Sequence, residues 1–228
     1  MSHLKSLAAP KNWPIKRKEN IWVVRPMSGA HSKEYSIPLV VVLRNVLGLL
    51  DTKKEVKFVI REGLVKVNGR KVKDVKLPVG LFDVISLDKE KKYYRIVMNK
   101  RKRLVPIEVD EKEANLIPLK IENKRILTKD KIQFNFTNGW NLTLKDKKYS
   151  TRDTLIFDVK SNKIVNHIPF DKGNVVFVFG GKHVGELAKI QKVNDKVSLK
   201  NSEKEWEGIK DYAFVIGKKD PVIKVREK

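Results

Sequence analysis

The 228-residue sequence contains no cysteine, which narrows the chemistry available to the protein. Disulfides, iron–sulfur clusters, thiolate zinc sites and cysteine nucleophiles are all excluded, and the composition fits a reducing compartment. The four histidines (His3, His31, His167 and His183) are scattered, with no HExxH motif and no carboxylate spacing typical of a metal site. We therefore expect neither a metal nor any other cofactor.

Long hydrophobic runs are missing as well. The longest apolar run begins at Ile37 and is broken by Arg44 and Asn45, far short of the roughly 20 residues that a membrane-spanning helix needs. The first residues contain scattered lysines and prolines without an apolar segment, so no secretion signal is predicted. We expect a protein that acts in the cytoplasm and not in a membrane.

Negative charge is scarce. There are 27 Asp and Glu residues against 50 Lys and Arg, which gives a formal net charge of +23 at pH 7. Such an excess repels itself in the absence of a partner and attracts polyanions. Because 41% of the residues are hydrophobic, the chain can still bury a substantial core. Nucleic acid is the favoured partner, and an anionic membrane surface is the alternative.

Residues 1–36 are predicted to form an arm rather than a domain. Three prolines interrupt any periodicity, and the segment KNWPIKRKEN is basic. The alternatives are a disordered tail and an extended arm that becomes ordered by docking. Trp13 and Trp22 favour the arm, because disordered tails are poor in aromatic residues. Either indole is a candidate for stacking on an unpaired base.

Two helices are predicted after the arm. The first begins near Ser36, has Pro38 in its first turn and ends at Gly48. Its buried face has helical spacing and consists of Leu39, Val42, Leu43, Val46 and Leu47. The second opens at Thr52, where the sequence TKKE is a capping box, and Gly63 is its natural C′ residue. Its apolar face is Val56, Val59 and Ile60, and its basic stripe is Lys53, Lys57 and Arg61.

The segment REGLVKVNGRKVKD is predicted to form a β-hairpin with Asn68 and Gly69 at its turn. A type I′ turn needs positive φ at both central residues, which an Asn-Gly pair supplies. Strand alternation places three valines (Val65, Val67 and Val72) on one face and three lysines (Lys66, Lys71 and Lys73) on the other. Lys66 directly faces Lys71, an arrangement that is unfavourable in an isolated sheet. We expect bound phosphates to offset this repulsion.

The rest of the chain is predicted to be mainly β, after a basic block at 88–104 and one short helix at 108–116. Short strands are predicted at 125–127, 132–136, 142–144, 154–159 and 164–168, and residues 171–217 are predicted to be all β. Turns are predicted at Asn138-Gly139, Ser161-Asn162 and Gly180-Gly181. The last of these lacks the spacing of a phosphate-binding P-loop, and its two glycines by themselves indicate a plain tight turn.

The residues predicted to bind RNA come from both helices, the hairpin, the arm and the glycine-rich turn. They are Arg44, Lys53, Lys54, Lys57, Arg61, Lys66, Asn68, Arg70, Lys71, Lys73, Lys11, Lys16, Arg17, Arg25 and Lys182. A solvated charged surface is the alternative, since most charge runs simply face water. The stripe on the second helix has no acidic member, however, and this favours a polyanion.

Several segments resemble known families. VIREGLVKVNGRKV, together with RNVL on the first helix, resembles the alpha-L RNA-binding module of ribosomal proteins, pseudouridine synthases and tyrosyl-tRNA synthetases. HLKSLAAPKNW, RPMSGAH, IPLVVVLRNVL and LPVGLFDVISL resemble the start of the archaeal/eukaryotic-type (e-type) ribosomal protein four of the small subunit. FDKGNVVFVFGGKHVGELAKI resembles the KOW motif of that family, and FVIGK resembles its closing strand. The KOW resemblance implies that the Gly180-Gly181 turn can approach RNA or a neighbouring protein, and this interpretation stands equal to that of a plain tight turn.

The sequence departs from that family in two places. FTNGWNL stands where the family usually has Thr-His-Asp-Gly-Arg, so only the turn at Gly139 is shared. In the KOW segment, Glu186 and Ala188 stand where the family favours a basic residue and a glycine.

The resemblance implies an α+β, mainly β fold. Its parts would be an extended basic arm (1–36), a helix-helix-hairpin alpha-L domain (37–90), a central small β domain (91–170) and a C-terminal SH3-like KOW barrel with a basic tail (171–228). It also implies a non-enzymatic structural constituent of the small ribosomal subunit in the cytoplasm. The implied partners are small-subunit rRNA and neighbouring ribosomal proteins, with no membrane and no small-molecule substrate.

Two other functions remain open from the sequence. One is an RNA-modifying enzyme of the pseudouridine synthase type, which would use the same module and Asp153 of the TRDT segment as its catalytic carboxylate. The Gly-Arg-Leu-Asp context is absent, and a carboxylate at the start of a strand is the favoured interpretation of Asp153. The other is a ribosome-assembly factor.

Overall fold

The computed structural model describes residues 3–128, 131–145, 148–194, 196–201, 204–218 and 220–226. The predicted arm, central domain and barrel each include a few residues outside these ranges. The chain forms two compact units, one comprising the residues up to Asn115 together with Arg226, and the other running from Leu116 to Val225. This division is coarser than the four predicted segments, whose boundaries stay predictions. The mainly β character of the fold is confirmed.

The first unit contains nine strands and three short α-helices among its described residues. The strands are β1 (Leu4–Lys5), β2 (Trp22–Val23), β3 (Ser36–Pro38), β4 (Val65–Val67), β5 (Arg70–Lys71), β6 (Pro78–Gly80), β7 (Val84–Leu87), β8 (Lys92–Met98) and β9 (Leu104–Val109). The helices are α1 (Leu39–Val41), continued by a π-helical turn (Val42–Val46), α2 (Lys53–Arg61) and α3 (Glu111–Ala114). The main antiparallel sheet has the order β5-β4-β7-β8-β9, and β1 pairs with β2 and β3 with β6.

The start of the first helix differs from the prediction. Residues Ser36 to Pro38 form β3 and pair with β6, with Ser36 opposite Gly80, so the helix begins only at Leu39. This pairing joins residues about 40 positions apart, and local periodicity carries no signal for it. Leu39 and Leu43 are buried as predicted, whereas Val46 and Leu47 are half-buried. Gly48 follows the helix with a φ of +63°, the left-handed conformation in which helices commonly end.

The arm packs against the rest of the first unit. Trp13 is only 1% exposed, and its indole Nε1 donates a 2.7 Å hydrogen bond to the carbonyl of Ser36. The backbone of Asn12 accepts a 3.0 Å bond from the amide of Leu104 at the start of β9. Trp13 is therefore a core residue and has no face left for stacking on a base. Trp22 is 56% exposed and lies beside the His3 ring.

The described residues of the second unit form two five-stranded antiparallel sheets. Their strands are β10 (Leu116–Thr128), β11 (Lys131–Phe136), β12 (Asn141–Leu144), β13 (Thr154–Asp158), β14 (Lys163–Ile168), β15 (Val175–Val178), β16 (Leu187–Val193), β17 (Val197–Lys200), β18 (Glu205–Gly208) and β19 (Ala213–Gly217). The orders are β12-β11-β10-β13-β14 and β18-β17-β16-β15-β19. The predicted turns and the strands predicted at 132–136, 142–144, 154–159 and 164–168 correspond closely to these elements. The strand predicted at 125–127 is only the end of the 13-residue β10, and the helix predicted at 108–116 is shortened to α3 by β9 and β10 on either side of it.

Strand β13 contributes to two apolar cores, because its side chains alternate between the two faces of its sheet. Leu155 and Phe157 pack with Phe134 of β11 on one face. Ile156 packs on the other face with Val176 and Val215 of the second sheet. The two sheets of this unit therefore share a hydrophobic core. Within the described residues, no helix has the length and apolar character that crossing a membrane requires.

Candidate nucleic-acid interface

Helix α2 is capped by its own sequence, as the TKKE motif predicted. The Thr52 hydroxyl accepts a 3.2 Å hydrogen bond from the Glu55 amide, and the Glu55 carboxylate accepts a 3.3 Å bond from the Thr52 amide. The hydrogen bond with the Thr52 side chain, followed by those from the Asp51 and Thr52 amides, holds the pKa of Glu55 below its usual value. At the other end, Gly63 has a φ of +69° and closes the helix. The helix is thus complete without a ligand.

The faces of α2 separate apolar from basic residues. Val56 and Ile60 are buried against the unit, and Val59 is half-buried. The predicted RNA-binding residues of this helix are all exposed: Lys53, Lys54, Lys57 and Arg61. These four side chains form no ion pair with any carboxylate in the described part of the chain.

The hairpin after α2 has the predicted turn and register. Asn68 and Gly69 have φ values of +50° and +73°, as a type I′ turn requires. Lys66 pairs with Lys71, and Val67 pairs with Arg70. The three valines of the hairpin are buried: Val65, Val67 and Val72. Arg70, Lys71 and Lys73 are exposed.

The repulsion between Lys66 and Lys71 is partly offset within the protein. Lys66 Nζ lies 2.7 Å from Asp88 Oδ2, just after strand β7, which is the neighbour of β4 in the sheet. Lys71 extends towards the end of α2, where a Cβ added at Gly63 would lie 3.6 Å from Lys71 Cδ and 3.7 Å from its Nζ. The hairpin therefore brings Lys71 beside Gly63, just after the last residue of α2.

Asn68 is used inside the fold. Its side chain is 7% exposed, its Nδ2 donates a 2.7 Å bond to Asp83 Oδ1, and its Oδ1 accepts a 2.9 Å bond from the Val84 amide. Asp83 also accepts from the Gly80 amide and lies 2.8 Å from His31 Nε2. Through Asp83, the turn of the hairpin is connected to the arm.

The buried pair of His31 and Asp83 has displaced pKa values. Burial opposes charge on both groups, but the mutual attraction and the hydrogen bond between them outweigh it. The pKa of His31 is consequently raised, and the pKa of Asp83 is lowered, helped by the Gly80 amide and the Asn68 side chain. A charged pair therefore fixes the arm beside the hairpin turn.

The remaining predicted residues of the first unit have different surroundings. Lys11 is exposed, and Lys16 is paired with Glu19 at 2.8 Å. Arg17 is half-buried and donates to backbone carbonyls of the arm, including that of Ala9 at 2.7 Å, so its guanidinium stabilises the arm itself. Arg25 is exposed, and half-buried Arg44 donates from Nε to the Asn45 side chain.

Lys182 of the second unit lies in the glycine-rich turn and is exposed. Gly181 has a φ of +82°, whereas Gly180 lies so close to the ring of Tyr212 that a Cβ would clash with it. The neighbouring His183 stacks on Trp206 with ring centroids 4.2 Å apart. Lys182 is the one predicted RNA-binding residue in the second unit, so the structure groups it with no other predicted residue there.

Asp153, the candidate catalytic carboxylate of the TRDT segment, is 4% exposed, and both of its carboxylate oxygens accept hydrogen bonds from the protein. It accepts hydrogen bonds of 2.9 Å from the amides of Ser150 and Phe170, and its Oδ2 lies 2.8 Å from His167 Nε2. These contacts join the segments before β13 and after β14. The arrangement supports the interpretation of Asp153 as a structural residue at the start of a strand. Among the described residues, no cluster of three or more His, Asp or Glu side chains is suited to a metal.

Phe58 is an exposed aromatic residue beside the lysines of α2, and it is not among the residues predicted from the sequence to bind RNA. It is 62% exposed and belongs to α2, between Lys57 and Val59. Helical spacing predicts the exposure of Phe58. It is two residues from both Val56 and Ile60 and therefore lies roughly opposite the buried face of the helix.

Comparisons with known proteins agree with this architecture. The model of the ribosomal family S4e matches residues 90–164, the RS4NT (NUC023) domain matches residues 2–34, and the S4 domain matches residues 37–85. The small ribosomal subunit protein eS4 of Methanocaldococcus jannaschii is 37% identical over 98% of this chain and 97% of its own length. That of Archaeoglobus fulgidus is 38% identical over 97% of each chain.

A solved structure is also similar. The crystal structure of the 30S ribosomal protein S4e from Thermoplasma acidophilum superposes with a TM-score of 0.70 at 30% identity, and the match covers 80% of this chain and 95% of that chain. Since relatives of this similarity align along almost the whole sequence, the chain belongs to the S4e family of ribosomal proteins, as its motifs predicted.

Proposed function

We propose that this protein is a non-enzymatic structural constituent of the small ribosomal subunit and that it binds rRNA chiefly through one basic surface. We call this the helix–hairpin surface, and it consists of Arg44, Lys53, Lys54, Lys57, Arg61, Lys66, Arg70, Lys71 and Lys73. The names of the relatives and the match to an S4 domain support the role in the small subunit.

One observation carries the RNA-binding proposal. Six members of the helix–hairpin surface are exposed and, among the described residues, form no ion pair with a carboxylate: Lys53, Lys54, Lys57, Arg61, Lys71 and Lys73. The helix cap, the hairpin turn and the valine core are complete without them. Positive charge that the fold does not use is available to neutralise phosphates, and each neutralised phosphate releases counterions.

The mechanism follows from the chemistry of these side chains. Contacts from Lys and Arg to phosphates position a protein on RNA without reading its sequence. The deep, narrow major groove of A-form RNA excludes side chains, so the shape of the folded rRNA supplies most of the specificity. Asn68 acts indirectly in this scheme, because its hydrogen bonds to Asp83 and Val84 fix the turn that presents Arg70 and Lys71.

The arm and the second unit extend the contact with the subunit. Lys11, Lys16 and Arg25 are exposed on the arm and would contact phosphates, while Arg17 holds the arm in shape. In the second unit, the sheet of β15 to β19 has the strand number of an SH3-like KOW barrel, and its exposed Lys182 is suited to contact RNA. Neighbouring ribosomal proteins would cover other parts of both units, in ribosomes of the cytoplasm.

The enzymatic alternative is not favoured. A catalytic carboxylate must reach its substrate, whereas Asp153 is buried and accepts hydrogen bonds from two backbone amides and lies against His167. An assembly factor remains the second candidate from another class, since it would use the same RNA-binding surface without staying on the mature particle.

Sedimentation of cell extracts through a sucrose gradient tests the proposal. A structural constituent should co-migrate with mature small subunits and with complete ribosomes at one copy per small subunit. A protein found only at low occupancy on precursor particles, or only at the top of the gradient, would instead be an assembly factor or another free RNA-binding protein.

A further inference from the structure

Phe58 is an exposed aromatic residue on the solvent side of α2. Its side chain is 62% accessible, and the apolar contacts of α2 are made by Val56, Val59 and Ile60 on the other side of the helix. A Phe side chain on the solvent side of a helix leaves apolar area in contact with water and adds little to the stability of the unit. Single exposed apolar residues are common on protein surfaces, and what distinguishes Phe58 is the set of basic side chains around it.

The neighbours of Phe58 indicate what it binds. Residues three and four positions apart are adjacent on a helix, so Phe58 lies one turn from Lys54 and from Arg61, both exposed. Glu55 and Glu62 flank its other side, but the Glu55 carboxylate is occupied by the cap at Thr52. Phe58 therefore lies at the border of the basic stripe, with Lys54 and Arg61 on one side of it and the two glutamates on the other.

This combination matches the chemistry of unpaired nucleotides. A single-stranded nucleotide offers a phosphate to cations and a flat base to an aromatic ring, and RNA-binding proteins use both together. An apolar protein partner would fit the ring but not the surrounding lysines and arginine.

We propose that Phe58 stacks on an unpaired base of the small-subunit rRNA, while Lys54 and Arg61 bind the phosphates that flank that nucleotide. The inference rests on the proposed rRNA-binding function and adds to it one contact with a base. It gives the helix–hairpin surface a means of recognising a bulge or a loop beyond the shape of a regular duplex.

Four proteins test this: the wild type and the variants Phe58→Ala, Phe58→Leu and Phe58→Tyr, each bound to in vitro transcribed small-subunit rRNA in a filter-binding assay. Loss of stacking on one base corresponds to a decrease in affinity of about tenfold. We expect this loss for both Phe58→Ala and Phe58→Leu, because leucine keeps apolar area but lacks a flat ring. Phe58→Tyr should bind like the wild type.

Three further readouts make the result specific. The dependence of binding on salt should be the same in all four proteins, because no phosphate contact is removed. Chemical probing of the rRNA should show one nucleotide that the wild type and Phe58→Tyr protect and that Phe58→Ala leaves reactive. Thermal unfolding should be unchanged, since the side chain is exposed.

Wild-type affinity in Phe58→Ala or in Phe58→Leu would overturn the stacking contact and leave the proposed function intact. The same conclusion would follow if Phe58→Ala bound rRNA normally but failed to enter the subunit, since a neighbouring protein would then be the occupant. If the wild type itself did not bind the rRNA, the proposed function would fail, and this inference would fail with it.

Discussion

Asp88 forms an ion pair with Lys66, with 2.7 Å between Asp88 Oδ2 and Lys66 Nζ. Lys66 is the hairpin lysine that lies directly opposite Lys71. The protein therefore offsets part of the charge repulsion of its hairpin by itself, without a bound ligand. Lys71, on the opposite strand, has no carboxylate partner within the described residues and is the lysine of this pair that remains available to a phosphate.

Replacing Asp88 by Asn is expected to free Lys66 for RNA. Both side chains are partly exposed, so the pair contributes about 0–1 kcal/mol to stability and its loss should change the unfolding free energy little. Binding to rRNA should become tighter, and its salt dependence steeper by about 0.7–0.9 in log K per log salt. A filter-binding titration at several salt concentrations measures both. An unchanged slope would show that Lys66 does not face the RNA.

The triple change Lys53→Ala, Lys57→Ala and Arg61→Ala should weaken rRNA binding without unfolding α2. The cap at Thr52 is independent of these side chains, so the melting temperature should stay close to that of the wild type. The slope of log K against log salt should fall by about 2–3, because up to three phosphate contacts are lost.

A matched control for that triple change removes the same charge elsewhere. Lys160, Lys163 and Lys200 are exposed lysines of the second unit, and none of them is among the predicted RNA-binding residues. Their replacement by alanine should weaken binding less. Equal losses in the two triple variants would mean that only the total charge of the protein matters.

Thr52→Ala should destabilise the first unit by about 0.5–2 kcal/mol, because the Glu55 amide loses its capping acceptor. Thr52→Ser keeps the hydroxyl and serves as the control. Chemical denaturation followed by circular dichroism measures the difference. Identical midpoints for Thr52→Ala and the wild type would show that the capping box contributes nothing in solution.

The pair of His31 and Asp83 predicts a specific dependence of stability on pH. Because the folded pKa of His31 is raised, its stabilising contribution is complete below the unfolded value of about 6.5 and is lost as the pH rises through the folded value. Asp83, with its lowered pKa, contributes above its unfolded value of about 3.9 and loses this contribution as the pH falls through the folded value.

His31→Gln should remove the decline of stability above pH 6.5 and should destabilise the protein by about 3–5 kcal/mol near neutral pH, because Asp83 is left buried without its counter-charge. Denaturant unfolding at a series of pH values checks both parts. A wild type whose stability did not fall above pH 6.5 relative to His31→Gln would contradict the charged pair.

Lys120 predicts the opposite trend at alkaline pH. Its ammonium group is buried and donates to the carbonyls of Asp211 and Ala213, and burial lowers its pKa to about 8. Between about pH 8 and 10.5 the unfolded chain binds this proton and the folded chain does not, so stability should rise with pH.

Lys120→Met should abolish that rise, whereas Lys124→Met, at an exposed position of the same strand, should retain it. Unfolding free energies measured from pH 7 to 10.5 provide the comparison. Parallel curves for the wild type and Lys120→Met would mean that Lys120 keeps an ordinary pKa in the folded protein.

Local chemistry made the hairpin and α2 predictable. The Asn68-Gly69 turn and the Thr52 capping box depend on residues within a few positions of one another, so their geometry is encoded in short segments. The family resemblance, carried by longer motifs, predicted the S4e assignment and the mainly β fold.

Contacts between distant residues were not predictable in the same way. Ser36 belongs to a strand because Gly80 lies opposite, and Trp13 is buried because Ser36 offers a carbonyl to its indole. Asn68 was predicted as a direct RNA-binding residue from its place in the turn, yet its amide is occupied by Asp83 and Val84. Only the folded chain shows which polar groups are already satisfied and which are left for a partner.

The salt dependence of wild-type binding to small-subunit rRNA tests the central claim most directly. If the six exposed basic side chains without carboxylate partners each neutralise one phosphate, they alone should give log K a slope of about −4 to −5 against log salt, and contacts from the arm and Lys182 would make the slope steeper. A slope near zero would contradict the electrostatic account of the helix–hairpin surface.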